Sequence, residues 1–257
     1  AMDATLTPRV LTDSGVMAIG EYRYLHKTGD GVINAEYLPS DNLREDRHRN
    51  LIGIKLNQQF ASRGNFSLDY NRVSDQFYFE DFGSQLSTTS TRFLQQRGDI
   101  TYSGNNWNSL IRVQNFQTVD RSIARTSRPY KRLPQVRFNY RSPLQYSQFN
   151  YGLRSEAVYF DRGNDPALVN NVNGFRSYLQ PYISYPMRTA ATFLTPKLSL
   201  DYTQYALEDS ANFDDNPNRL LPIFSLDSGV FLERDIQLFG EGFLQTLEPR
   251  LFYLYVP

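Results

Sequence analysis

The chain has 257 residues, with 27 basic against 27 acidic side chains, 14% aromatic residues and no cysteine. That balance argues against disorder and against a polyanion-binding surface, and so excludes nucleic acid as a partner; without cysteine no disulfide or thiolate chemistry resides in these residues, and the redox compartment goes unreported. A mean hydropathy of −0.52, with no apolar run near the ~18 residues of a membrane helix, excludes a helical membrane protein, but strands that are only half apolar pass the same test and leave a β-barrel open.

In chain order, the residues form two-faced segments. After the first strand-like stretch, Met2 to Val10, and the turn at Asp13 to Gly15, Val16 to Leu25 places Ala18, Gly20, Tyr22 and Tyr24 opposite Glu21 and Arg23. Thr28 to Gly31 turns into Val32 to Leu38, and Pro39 to Asn50 reads as a highly charged loop. Leu51 to Phe60 and Phe66 to Asn71 are joined by a short turn, Ala61 to Asn65. Asp75 to Thr89 is a long loop, Thr91 to Tyr102 and Trp107 to Val119 flank the turn Gly104 to Asn106, and Asp120 to Lys131 is the next long loop.

Arg132 to Arg141 shows the sharpest contrast, Pro134, Val136, Phe138 and Tyr140 against Gln135, Arg137 and Asn139. Ser142 to Ser147 turns into Gln148 to Phe160, Asp161 to Gly174 loops out before Phe175 to Tyr185, and Pro186 to Thr192 leads into Phe193 to Leu207. The acidic loop Glu208 to Arg219 precedes Leu220 to Glu233, Arg234 to Gly242 turns, and Arg250 to Val256 closes the chain with Leu251, Tyr253 and Tyr255 on one side.

About thirteen strands of roughly ten residues suit a tilted barrel wall, and an open sheet of that size needs further strands to cover its edges. The expected fold is all-β, an antiparallel transmembrane β-barrel of which residues 1–257 form one partial domain. The long loops are expected on one side, the external one, and the turns at Asp13 to Gly15, Ala61 to Asn65 and Gly104 to Asn106 on the other. Tyr22, Tyr24, Tyr140, Tyr185, Tyr253 and Tyr255 read as rings near strand ends, where they would form interfacial girdles. A soluble β-sandwich or propeller would share the alternation, although no fixed repeat of the propeller kind occurs. On the barrel reading, Glu21, Arg23, Gln135, Arg137 and Asn139 are candidate lumen-facing residues.

The wording of several stretches is more specific than their periodicity. QTLEPRLFYLYVP (Gln245 to Pro257), MDATLTPRV (Met2 to Val10), EYRYL with EYLPSD (Glu21 to Leu25, Glu36 to Asp41) and DYNRVSDQFYFEDF (Asp69 to Phe82) resemble, in the same order, segments of the LptD family of outer-membrane barrels. The resemblance implies transport of lipopolysaccharide into the outer leaflet of the bacterial outer membrane. It further implies delivery from periplasmic Lpt bridge proteins, an LptE lipoprotein plug in the lumen and release sideways into outer-membrane lipid. It also implies that the chain begins inside a longer polypeptide, after a periplasmic domain and near the second barrel strand, and stops before the barrel is complete. In that family, prolines in the first strands weaken the seam that opens as a lateral gate, and Pro8 falls on one of those positions. Proline cannot donate to a ladder, yet Pro134, Pro181, Pro196, Pro222 and Pro249 also lie in or beside strands.

Chemistry-bearing constellations are weak. The two histidines, His26 and His48, have no metal spacing, and no serine sits in a nucleophile elbow. Asp214 and Asp215 with Asn216 and Asn218 lack the order of a calcium loop and read as a solvated segment. No enzyme, cofactor or metal is expected. A porin-like or substrate-specific channel is the alternative, and an outer-membrane hydrolase would require a Ser/His pair on one side.

Overall fold

The computed structural model describes residues 1–83, 91–142, 148–163, 172–208 and 214–257. The strands are β1 (Met2–Leu11), β2 (Gly15–His26), β3 (Gly29–Asp41), β4 (Arg47–Phe60), β5 (Gly64–Val73), β6 (Phe93–Ser103), β7 (Trp107–Thr118) and β8 (Lys131–Arg141). They continue as β9 (Asn150–Asp161), β10 (Asn173–Ser184), β11 (Met187–Arg188), β12 (Thr192–Glu208), β13 (Asn218–Val230), β14 (Leu232–Leu238), β15 (Glu241–Leu247) and β16 (Arg250–Tyr255). A short α-helix, α1 (Tyr78–Phe82), lies between β5 and β6, and a 3-10 turn, Arg125–Ser127, between β7 and β8. Parts of the expected loops, residues 84–90, 143–147, 164–171 and 209–213, lie outside the described residues.

A single sheet holds nearly every strand, in the order β1 through β10, then β12, β13 and β16, with β11 beside β12. Every neighbouring pair is antiparallel and almost every connection joins sequential strands, so the sheet is a meander. It is open: among the described residues, β1 and β16 each have an edge without a partner. No helix among these residues is long and apolar enough to cross a membrane, which says nothing of a β-barrel.

The alternation read from the sequence becomes two surfaces because the register runs almost unbroken. Tyr22, Ile33, Ile54 and Tyr70 stand side by side across β2 to β5, and Lys55, Asp69, Arg97 and Gln114 across β4 to β7. A slip of one residue in any strand would swap its faces. Register shifts occur in β3–β4 between Leu38 and Asp41, in β7–β8 between Arg112 and Gln114 and in β8–β9 between Arg132 and Gln135, the last two at Pro134, which has no N–H to give a ladder.

Several boundaries differ from the sequence reading. The loop expected over Pro39 to Asn50 is mostly strand, since β3 continues to Asp41 and β4 begins at Arg47. The stretch expected as a loop from Asp75 contains α1. The turn expected at Arg234 to Gly242 is a hairpin of its own, β14 with β15, which prolongs β13 and β16 beyond the sheet. Tyr255 ends β16 and Tyr253 stands two residues before it, but their partners Phe224 and Leu226 lie in the middle of β13.

The Asp13 to Gly15 turn lies at the same end as the long loops, where the Asn42 N–H donates to the Ser14 carbonyl at 3.3 Å. In an antiparallel meander the ends alternate with each strand, so strand parity and not turn length decides the end. The short turns of the opposite end are those after His26, Phe60 and Ser103.

Candidate functional site

Side chains alternate across a strand, so the register assigns each residue to a face. One face is apolar from edge to edge, with Leu6 79% exposed at the β1 edge and Ile54, Phe138 and Leu198 further along. An uncovered apolar surface of this extent would aggregate in water and marks a face made to meet lipid or protein. Near the short-turn end its rings approach one another: Tyr102 stacks on Trp107 at 5.5 Å, Trp107 lies 5.9 Å from Phe138, and Tyr140 lies 6.1 Å from Tyr151. Rings with one apolar and one wet end collect in this way at membrane interfaces.

The opposite face is polar and laced by ion pairs. Glu21 and Arg23 of β2 share it with Gln135, Arg137 and Asn139 of β8. Arg23 pairs with Asp3 at 2.7 Å, Arg112 with Asp99 at 2.8 Å, and Arg250 with Asp227 at 2.7 Å. The Gln135 amide donates to Glu156 at 2.7 Å and the Asn139 amide to Asn108 at 2.9 Å. Each pair joins neighbouring strands, which is where opposite charges in a sheet contribute.

At the long-loop end, α1 lies over this polar face on a small apolar core of Met17, Leu38, Val73, Tyr78, Phe82 and Val119. Tyr78 and Phe82 are one helical turn apart, so both reach the core. The Asp75 carboxylate accepts the Phe77 N–H at 2.9 Å, giving the chain its entry into the helix. Beneath it Arg49, 3% exposed in its side chain, donates to Asp41 at 2.9 Å, Asp75 at 2.9 Å and Asp81 at 2.6 Å, and lies 4.4 Å from the centre of the Phe82 ring. The Tyr78 hydroxyl donates to Glu36 at 2.7 Å, and Arg9 of the edge strand donates to the Phe82 carbonyl at 3.2 Å.

Burial pushes the Asp75 carboxyl up, but the Arg49 guanidinium and the Ser74 hydroxyl more than offset this and hold it below the usual carboxylate range. Burial, reinforced by the Glu36 carboxylate, pushes the Tyr78 phenol up. Sequence reading missed this anchor because Arg49 stood in an expected loop; the Tyr78/Phe82 spacing was the available signal.

Pro8 pairs with Ala18 in the edge strand β1. Ala1 and Leu25 exchange both backbone bonds, each 2.8 Å, and the β1–β2 register continues from there without a shift. Narrow and wide pairs alternate in an antiparallel ladder, so Arg9 and Thr7 face β2 and the Pro8 nitrogen faces the unpartnered edge. Proline therefore removes nothing from the β1–β2 ladder; it removes a donor from the edge itself.

The remaining expected candidates are dispersed. His26 ends β2 at the short-turn end, and His48 sits at the start of β4 at the other, so they cannot act together. The Asp214 carboxylate accepts the Asn216 N–H at 3.0 Å in a local turn, and no metal-holding group of acidic residues and histidines occurs among the described residues.

The sequence profile of the LptD family, described as LPS transport system D, matches residues 47–257. The chain is 44% identical over 257 residues to the LPS-assembly protein LptD of Nitrosococcus oceani, covering 100% of this chain and 34% of that protein. It is 40% identical to the protein of that name in Ralstonia nicotianae, covering 99% of this chain and 31% of the relative, and 36% identical to that of Pseudomonas aeruginosa, again over 99% and 31%. The chain thus spans about a third of the length of the curated relatives it matches.

Proposed function

Because the chain belongs to the LptD family, we propose that residues 1–257 are a partial outer-membrane β-barrel domain of a protein that inserts lipopolysaccharide into the outer leaflet. The apolar face meets outer-membrane lipid, the polar face lines a wet lumen, and Glu21, Arg23, Gln135, Arg137 and Asn139 are lumen residues. Transmembrane barrels expose lipid-facing and lumen-facing residues alternately and carry aromatic girdles, which is the pattern of the two faces. In this reading the complete protein receives lipopolysaccharide from periplasmic Lpt bridge proteins, holds the LptE lipoprotein as a plug, and acts as a transporter rather than an enzyme. No observation favours a porin-like channel.

The observation that carries the sideways exit is the direction of the Pro8 nitrogen, toward the open edge of β1. A strand docking there finds a missing donor, so the seam is weakened while β1 stays fastened to β2. Replacing Pro8 with Ala restores a donor, adding about 0.5 to 1.5 kcal/mol to the seam; at the upper end that lowers the population of a minor open state roughly tenfold. Surface delivery of lipopolysaccharide by the full-length Pro8→Ala protein, at matched expression, should fall while barrel folding stays intact. Unchanged delivery, also when combined with removal of any proline in the adjoining strand, would refute the gate.

A further inference from the structure

The first strand is held differently along its length. Of the ten residues of β1, only Arg9 and Leu11 are not exposed, and both stand on the polar face, opposite Met17 and Gly15 of β2. Leu11 packs against the small core beneath α1. Toward the short-turn end, β1 depends on its ladder with β2 and on the exposed pair of Asp3 with Arg23, and exposed pairs contribute little.

The Arg9 guanidinium reaches out of its own hairpin and donates to the Phe82 carbonyl at 3.2 Å. That carbonyl belongs to the last turn of α1, where C=O groups have no partner within the helix. A basic side chain satisfies such a carbonyl and is favoured there by charge. The last turn of α1 holds no basic residue of its own, so β1 supplies the cation.

α1 itself is fastened further into the sheet. Arg49 of β4 holds Asp75 and Asp81, Glu36 of β3 accepts from the Tyr78 hydroxyl, and Met17, Leu38 and Val73 of β2, β3 and β5 pack beneath the helix. The helix therefore runs from well-anchored strands to an edge strand with a neighbour on one side only. When a strand docked across that edge leaves, the β2 ladder alone would keep β1 in the sheet, were it not for α1. Arg9 follows Pro8 directly, so the added hold falls where the edge lacks a donor.

We propose that α1 is a strap: by holding Arg9 it keeps β1 on β2 while the open edge of β1 parts from its neighbour, so that separation occurs outside β1 and not behind it. Arg9 is the positioning residue of this device. This rests on the reading of that edge as the seam for sideways release.

The test is hydrogen exchange on the full-length protein in detergent micelles, read by mass spectrometry of peptides covering residues 2–11, 51–73 and 78–82. Arg9→Met removes the donor and keeps an apolar stem. It should speed exchange over residues 2–11 about tenfold, as for loss of a charge-assisted hydrogen bond, and leave residues 51–73 unchanged. Arg9→Lys keeps a cation at the carbonyl and should restore most of the protection. Arg49→Leu, three strands away from β1, should also speed residues 2–11, and combining it with Arg9→Met should add little, because both break one chain of contacts. Tyr78→Phe takes the place of Arg49→Leu if heat-modifiable mobility shows that the latter does not fold.

Exchange over residues 2–11 that ignores Arg9→Met, or that responds to Arg9→Met but not to loosening of α1, would overturn the strap. Exchange reads the strap whether or not the edge is a seam. Surface delivery of lipopolysaccharide by Arg9→Met should fall in parallel, since β1 then leaves with its neighbour instead of staying behind. Faster exchange with unchanged delivery would refute sideways release at this edge and leave the strap standing.

Discussion

Arg49 donates to Asp41 at 2.9 Å with the two side chains 3% and 1% exposed, the most enclosed ion pair among the described residues. Its other partners, Asp75 and Asp81, come from the segment leading into and through α1, so one guanidinium ties β3 and β4 to the connection between β5 and β6. Arg49→Leu leaves the Asp41 carboxylate buried and unmatched, which costs about 3 to 5 kcal/mol. Proteolysis of the folded protein within the connection that carries α1 should become much faster, while Arg47→Leu, whose pair with Glu45 is exposed, should change little. Equal resistance of the two variants would show that Arg49 is not the anchor.

The same anchor has a pH window. Asp75 is held below the usual carboxylate range, so its contribution is complete above the unfolded carboxylate value near 3.9 and is lost as pH falls through the lower folded value. Tyr78 is raised, so its contribution is complete below the ordinary tyrosine value near 10 and is lost as pH rises through the higher folded one. Docking of α1 should therefore be level from about pH 5 to pH 9 and weaken outside that range. Corrected amide-exchange protection of residues 78–82 measures it, and a loss of protection between pH 6 and 8 would contradict the assignment.

The two faces of β8 predict unequal tolerance. Phe138→Arg places a charge on the apolar face and should cost about 2 to 4 kcal/mol if the position lies near the bilayer midplane. Gln135 is 6% exposed and donates to Glu156, so Gln135→Ala should cost about 0.5 to 1.5 kcal/mol, the net worth of one hydrogen bond. The comparison is made by reversible folding into bilayers. Equal costs at the two positions would contradict the membrane reading or the register.

Accessibility labelling tests the ends. These 257 residues hold no cysteine, so in a full-length protein freed of any cysteine elsewhere, single cysteines are placed at Asp13, Leu43 and Arg125 at one end and at Lys27, Ser62 and Asn105 at the other. A membrane-impermeant reagent on intact cells should mark the first set and spare the second, because long loops of such barrels face outward and short turns the periplasm. Labelling of Asp13 with the second set would place the β1–β2 turn on the wrong side.

What the sequence determined by itself is local. Period-two alternation depends on neighbouring side chains only, so Ile52, Ile54 and Leu56 could be set against Lys55 and Asn57 without any partner strand, and the strand count of the main path emerged correctly. The family was legible for the same reason, in runs such as QTLEPRLFYLYVP. What the tertiary structure decided depends on pairing between strands. The direction of the Pro8 nitrogen follows from the Ala1–Leu25 bonds, and the end that holds Asp13 to Gly15 follows from strand parity. Arg49 became a buried anchor only when residues 26 and 32 positions away closed around it. The ion pairs of the polar face, such as Arg112 with Asp99 and Arg250 with Asp227, came together only in register, because cross-strand neighbours are set by ladder hydrogen bonds between distant residues, and no local pattern encodes which distant residue that will be.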